Sequence, residues 1–216
     1  MSVITVRQAD NQDISFLAKA VIEADKSGTN KSSYASIFCM DERALFQSIE
    51  TLFSFDLEDC EFSVASFCIC EFDGMPVGAC AAWIENLNDL PSWQIKSSAM
   101  RYVVSKEALI NLGNMQSLVS AFMPTRTSGS LQIESVYVEP EYRGKGILGK
   151  ILSFQEARWK NKEHHVNLVE VMTYLSNETA IRSYEKYGFR KERESFIADD
   201  GILNIYPSRG MVVLTK

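Results

Sequence analysis

Three glycines fall within six residues in Tyr142-Arg143-Gly144-Lys145-Gly146-Ile147-Leu148-Gly149-Lys150. The segment lies between an apolar strand-like run, Leu131 to Val138, stopped by Pro140, and an amphipathic helical run, Ile147 to Lys162. A strand must end there, the backbone must turn through conformations that glycine adopts freely, and a helix must begin at once. Such a helix start presents unpaired N–H groups and the positive end of the helix dipole to an anion. Arg143, Lys145 and Lys150 add cationic charge, so the turn reads as a site for a phosphate or pyrophosphate. Val166 to Tyr174 follows as a buried strand, which makes 131–174 the one clear strand–helix–strand crossover in the chain.

Around this unit the chain alternates between the two periodicities. Val3 to Arg7 alternates as a short strand, and Asp10 to Asp25 carries Ile14, Leu17, Ala18, Val21 and Ile22 at helical spacing. Lys26 to Ser33 reads as a loop, and Asp41 to Phe53 as a helix with Asp41 at its N-cap. Phe62 to Phe72 and Pro76 to Ile84 form strands about an Asp73-Gly74 hairpin turn. Residues 87–129 are weakly patterned, with helical periodicity from Ser97 to Phe122 and a polar connection from Met123 to Ser130. Asn177 to Tyr187 is a helix capped by Gly188. Phe189 to Ala198 and Ile202 to Thr215 are two further strands joined at Asp199-Asp200-Gly201. Repeats and linkers are lacking, which gives one mixed α/β domain over 1–216 with a largely antiparallel sheet.

Composition bounds the partners. A net charge of −6 over 216 residues argues against nucleic acid, whose phosphates require a basic face. No stretch has the pattern of a signal peptide or a membrane span. Cys39, Cys60, Cys68, Cys70 and Cys80 are odd in number and lack C-x-x-C spacing, so neither a disulfide framework nor a metal site is expected. The adjacent His164 and His165 read as surface residues, and a reducing cytoplasm is the natural setting.

Gly144-Lys145-Gly146-Ile147-Leu148-Gly149 matches the G-x-G-x-x-G dinucleotide fingerprint, with Glu170 as an acidic residue 21 positions further on. The context is wrong for it, because Glu139 to Arg143 intervene between strand and first glycine and no other βαβ unit precedes the motif. A plain basic surface turn is the bland alternative. A third reading rests on Val136-Tyr137-Val138-Glu139-Pro140-Glu141-Tyr142-Arg143-Gly144-Lys145-Gly146, which resembles the acyl-CoA signature of the GNAT superfamily of N-acetyltransferases. Arg143 and Gly146 match its first two fixed positions; the last falls on Leu148 in place of a small residue, with Gly149 one place later. Asn177 to Phe189 resembles the family's N-x-x-A-x-x-x-Y-x-x-x-G-F block, carrying Asn177, Ala180 and Tyr184 on one helix face.

The resemblance implies a mixed, mostly antiparallel sheet of about seven strands flanked by helices. It implies acetyl-CoA as acyl donor, with no metal. Backbone groups of Val136, Tyr137 and Val138 would hold the pantetheine arm as an added strand. The pyrophosphate would rest on Arg143, Gly144, Lys145, Gly146, Ile147, Leu148 and Gly149, with Asn177 positioning the donor or a bridging water. Tyr184 is implied as general acid for the departing thiolate, its alternative being a core tyrosine. The acceptor would be a small-molecule or peptide amine, with neither nucleic acid nor membrane as partner. An exposed terminal strand could support a homodimer. A lysine-like amine of pKa about 10.4 is neutral in only about one molecule in a few thousand at pH 7, so a nearby carboxylate must take its proton. Glu134, on the same strand, occupies the position where relatives carry such a glutamate, and a solvated surface charge is its alternative. Gln132, at the other position, cannot act as a base. A silent acyl-CoA-binding module and a dinucleotide oxidoreductase are the competing classes. Tyr34, Phe38, Trp93 and Tyr102 are aromatics for an acceptor wall or for the core.

Overall fold

The computed structural model describes residues 3–160 and 166–216, so His164 and His165 and the last two residues of the helix expected to reach Lys162 lie outside the described residues. Seven strands form one sheet in the order β1-β2-β3-β4-β5-β7-β6. They are β1 (Ile4–Gln8), β2 (Phe67–Phe72), β3 (Met75–Ile84), β4 (Leu131–Val138), β5 (Val169–Tyr174), β6 (Arg190–Phe196) and β7 (Gly210–Thr215). Every neighbouring pair is antiparallel except β4 and β5. A doubly wound dinucleotide fold, which needs a parallel sheet, is therefore not this architecture.

Helices cover both faces of the sheet centre, and the alternation along β3 and β4 says which. Tyr137 meets Phe16 of α1 (Ile14–Lys26) with ring centroids 6.2 Å apart, so Tyr137 and its partner Ala79 face α1. A Cβ added at the neighbouring Gly78 would meet Ile147 and Ile151 of α6 (Ile147–Lys160) at 3.2 and 3.3 Å, so that residue faces α6. With both sides covered, β2 from Phe67 to Cys70 and β3 from Val77 to Ile84 are continuously buried runs. Gln155, the polar interruption in the apolar stripe of α6, is fully buried and donates to the carbonyls of Ser66 and Cys80 at 3.0 and 2.8 Å. It satisfies backbone groups that helix and sheet together remove from water.

Three helices stand where the patterning is faint. α2 (Ser33–Phe38) follows the expected loop, in a stretch assigned no element from the sequence, and is started by Ser32, whose hydroxyl accepts the Ala35 amide. It precedes α3 (Glu42–Phe53), capped at Asp41 as expected. The single helix expected from Ser97 to Phe122 is two, α4 (Ser92–Met100) and α5 (Lys106–Phe122), because Ser105 caps a fresh start. α7 (Glu178–Tyr187) ends at Gly188 as expected. The expected last strand is shorter, since Asp200–Asn204 is a 3-10 turn before β7.

Glu170, the acidic residue of the dinucleotide pattern, braces the base of the crossover instead. It is fully buried and accepts from the Thr127 amide (3.0 Å) and hydroxyl (2.6 Å), the Gln132 amide (2.7 Å) and Arg193 (2.9 Å). Burial alone would raise its pKa, but these donors outweigh burial and hold it at about 2. A carboxylate whose folded pKa lies below its ordinary 4.5 stabilises the fold above that value and ceases to do so as pH falls toward 2. Glu170→Gln should therefore cost about 2–3 kcal/mol in urea unfolding at pH 7. The deficit against wild type should shrink as pH falls from 4.5 toward 2; a deficit independent of pH would show that the charge contributes nothing.

Candidate active site

β4 and β5 pair only over Leu131–Ile133 and Val169–Val171, and then part. β5 continues against β7 to Tyr174, while β4 continues against β3 to Val138. A bulge accompanies the parting: Ser135 sits in the left-handed region (φ 49°), and the β3–β4 register shifts there. Beyond the bulge the Glu139 amide donates to Val77 at 2.9 Å, so Glu139 and Tyr137 spend their polar groups on β3. Val136 and Val138 alternate with them and turn theirs into the gap. The gap opens a cleft of about 2180 Å3 that reaches from the glycine turn to α4.

The turn closes one end of this cleft. Pro140–Tyr142 form a 3-10 turn, and Gly144 and Gly146 both have φ of 76°, a conformation strained for any residue with a side chain. α6 starts directly afterwards, its first internal bond running from Lys150 to Gly146, so the amides just ahead have no helical partner. Arg143 donates through Nε to the Val138 carbonyl at 3.0 Å, which fixes the bend and leaves its outer nitrogens free of partners among the described residues. Ile147 is buried beneath β3, and Leu148 and Gly149 border the cleft. The Lys145 side chain turns elsewhere, its ammonium over the rings of Tyr142 (4.6 Å) and Phe72 (5.1 Å).

α7 forms the opposite wall. Asn177 caps it, accepting the Ala180 amide at 3.1 Å, and its side-chain amide donates to Ser27 at the end of α1. Tyr184 is buried with its ring against Phe189 (5.9 Å), borders the cleft, and has no hydroxyl partner among the described residues. Burial raises its pKa well above the ordinary phenol value, so the hydroxyl stays protonated.

The far end of the cleft carries the charges. Glu134 pairs with Arg126, whose side chain is 9% exposed and stacks over Trp83 with its guanidinium 5.6 Å from the ring centroid. Glu61 accepts from the Tyr34 hydroxyl and pairs with Lys96 at 3.0 Å. Glu85 is buried, accepting from Trp83 (3.0 Å) and from the Ser92 amide (3.0 Å). Asp25, the next-to-last residue of α1, accepts from Ser32 (2.6 Å), Ser33 and Tyr174 (3.3 Å), with no cation bonded to it among the described residues. Desolvation raises its pKa to about 6, against the lowering effect of those hydroxyls. Tyr34, Phe38 and Trp93 line this end, whereas Tyr102 is 82% exposed and lies against Phe55. Asp25 and Arg126 escaped notice in the sequence. One closes an ordinary helix and the other sits in a polar connection, and only the paired serines after Asp25 hint at an acceptor nearby. Among the described residues no group of His, Cys, Asp and Glu is placed to hold a metal, and no helix is long and apolar enough to cross a membrane.

The Arg126–Glu134 pair is nearly closed to solvent, with side chains 9% and 13% exposed, so losing either partner strands a desolvated charge. Arg126→Met and Glu134→Gln should each destabilise by about 3 kcal/mol, and the double variant by clearly less than the sum. Additive losses in a denaturation cycle would contradict a coupled buried pair.

The sequence matches the acetyltransferase (GNAT) domain model over residues 102–191. No curated protein matches the chain by sequence. Among solved structures, an N-acetyltransferase from Staphylococcus aureus Mu50 is 16% identical, covering 98% of this chain and 100% of that one, with a TM-score of 0.64. A Drosophila melanogaster polyamine N-acetyltransferase that forms N-acetylagmatine is 15% identical over 99% of both chains, TM-score 0.56. A Salmonella typhimurium protein solved with its cofactor acetyl-CoA is 14% identical over 99% of this chain and 92% of that one, TM-score 0.50. At these identities the likeness establishes the fold. The matched stretch is the one that carries the parted strand, the glycine turn and all of α7, and over it the chain is similar to the acetyltransferase (GNAT) domain.

Proposed function

We propose that this protein moves an acetyl group from acetyl-CoA directly to a primary amine. The observation that carries the reading is the half-paired β4, whose Val136 and Val138 backbone faces the gap and runs straight into the glycine turn. A pantetheine arm bears amides at strand-like spacing and can complete that ladder. The turn fits a pyrophosphate: a Cβ built on Gly144 or Gly146 meets no atom within 4 Å, so nothing in the chain crowds the turn at those two residues. Arg143 adds charge through its outer nitrogens, and Lys145 contributes only its backbone and a longer-range field. Asn177 acts by holding the start of α7 beside the donor.

At the reacting end, the Val136 N–H is the donor available to the thioester oxygen as negative charge builds there. Tyr184, protonated and without a competing partner, supplies a proton to the departing sulfur. Glu134, paired with Arg126, draws the cationic acceptor toward the strand. Agmatine and polyamine acetyltransferases among the structural neighbours agree with an amine acceptor, and the carboxylates of the far cleft suit a cation better than an anion.

Calorimetry with acetyl-CoA should give one site per chain, and Gly146→Val should weaken it by about tenfold or more, since φ of 76° and the open amide approach are both lost. Undiminished affinity would remove the turn from the site. Thiol release should then follow on adding n-butylamine or 1,4-diaminobutane. Tyr184→Phe should lower kcat by about tenfold or more while acetyl-CoA affinity holds; an unchanged kcat removes Tyr184 from the acid role. Binding of acetyl-CoA without thiol release from any amine would favour a silent acyl-CoA module.

A further inference from the structure

We infer that Asp25, and not Glu134, is the carboxylate that takes the proton from the acceptor ammonium. The inference rests on the acetyl-transfer reading and assigns a group that reading leaves open. Position comes first. Tyr174, at the end of β5, donates to Asp25, and β5 is the strand whose departure from β4 opens the gap. Two residues after Asp25, Ser27 accepts from Asn177 at the head of α7. The end of α1 is thus tied to both elements that bound the parting, and Asp25 borders the same cleft as Glu134, Val136 and Tyr184.

Charge separates the two carboxylates. Glu134 is paired with a guanidinium that stays protonated throughout the working range, so any proton arriving there competes with Arg126. The groups facing Asp25 leave it basic. From α2 and its cap come the hydroxyls of Ser32 and Ser33 and the Tyr34 amide, and from β5 the Tyr174 hydroxyl. Tyr206 faces it from the connection ahead of β7, neutral because burial raises its pKa. Glu61, ahead of β2, adds negative charge but is matched by Lys96 of α4. Lys26, next along α1, is engaged by Glu23 and Glu42. A carboxylate ringed by neutral donors and beside another carboxylate is more basic than one held by arginine, in agreement with its pKa of about 6.

The balance is simple. The ammonium gives one proton to Asp25, which later releases it to solvent, and the freed nitrogen forms the N–C bond to the acetyl carbon. The C–S bond breaks, Tyr184 gives its proton to the sulfur, and the nitrogen's surplus proton restores the phenol as the amide forms.

The test is the pH dependence of kcat/KM for wild type, Asp25→Asn, Ser33→Ala and Glu134→Gln, with n-butylamine or 1,4-diaminobutane as acceptor and acetyl-CoA affinity and melting temperature measured alongside. Wild type should show an acidic limb with an inflection near 6. Asp25→Asn should lose that limb and fall about a hundredfold or more at pH 7, recovering toward wild type once the amine is neutral in solution. Ser33→Ala keeps the carboxylate but removes a donor that lowers its pKa, so the limb should move to higher pH, an effect that bracing of α2 alone would not produce. It also decides the matter if Asp25→Asn fails to fold. An acidic limb unchanged in Asp25→Asn, unmoved in Ser33→Ala, or abolished by Glu134→Gln would overturn the assignment while leaving acetyl transfer standing. Absence of thiol release by wild type with any amine would instead sink the transfer reading and this inference with it.

Discussion

From Glu134 to Val138, β4 is paired with another strand along one edge only, because β5 leaves it after Val171 to follow β7. Backbone donors and acceptors left without partners inside a fold are costly, and they persist only where water or a ligand completes them. The surrounding structure maintains that opening. Below the parting, Glu170 gathers Thr127, Ser130, Gln132 and Arg193 and holds the two strands together. At the parting, the left-handed Ser135 bulge turns β4 away. Above it, Gln155 and Gly78 let α6 lie close on the sheet, which puts the glycine turn at the mouth of the gap.

The two ends of the cleft differ in kind. The turn end offers backbone amides, a helix start and arginine nitrogens, an arrangement that suits a multiply charged anion. The far end offers four carboxylates, of which Glu61 and Glu134 carry cationic partners while Glu85 and Asp25 are held by neutral donors. That surplus of negative charge, in a space walled by Tyr34, Phe38 and Trp93, suits the cationic, partly apolar acceptor of the proposed reaction. The insertion of α4 and α5 between β3 and β4 supplies much of that wall, with Asn111 of α5 donating to Ile37 of α2 at 3.5 Å.

What the sequence revealed follows the range over which the physics acts. Local features were legible: the Asp73-Gly74 turn takes left-handed backbone at both residues, Asp41 caps α3, and Gly188 ends α7. The turn after β4 was legible because glycine density and helix onset are adjacent in the chain. The bulge at Ser135 was not, since no glycine marks it and only the register against β3 forces it. Neither was the partner of Glu134, because Arg126 reaches it from a connection whose course is set by Glu170, distant in sequence. Asp25 lacked a signal for the same reason: Ser32 and Ser33 are near in the chain, but Tyr174 and Glu61 come to it only through the fold. Short α2 and the break between α4 and α5 depended on single capping serines, too little for periodicity to register.

The central claim is that the unpaired edge of β4 and the amides of the turn form one continuous binding surface for coenzyme A. Residue-resolved amide hydrogen exchange, with and without saturating acetyl-CoA, tests it most directly. The account requires slowed exchange at Val136 and Val138 together with the amides of 144–149, and little change along β1 or β6. Protection confined to other elements, or none under conditions where calorimetry detects binding, would contradict it.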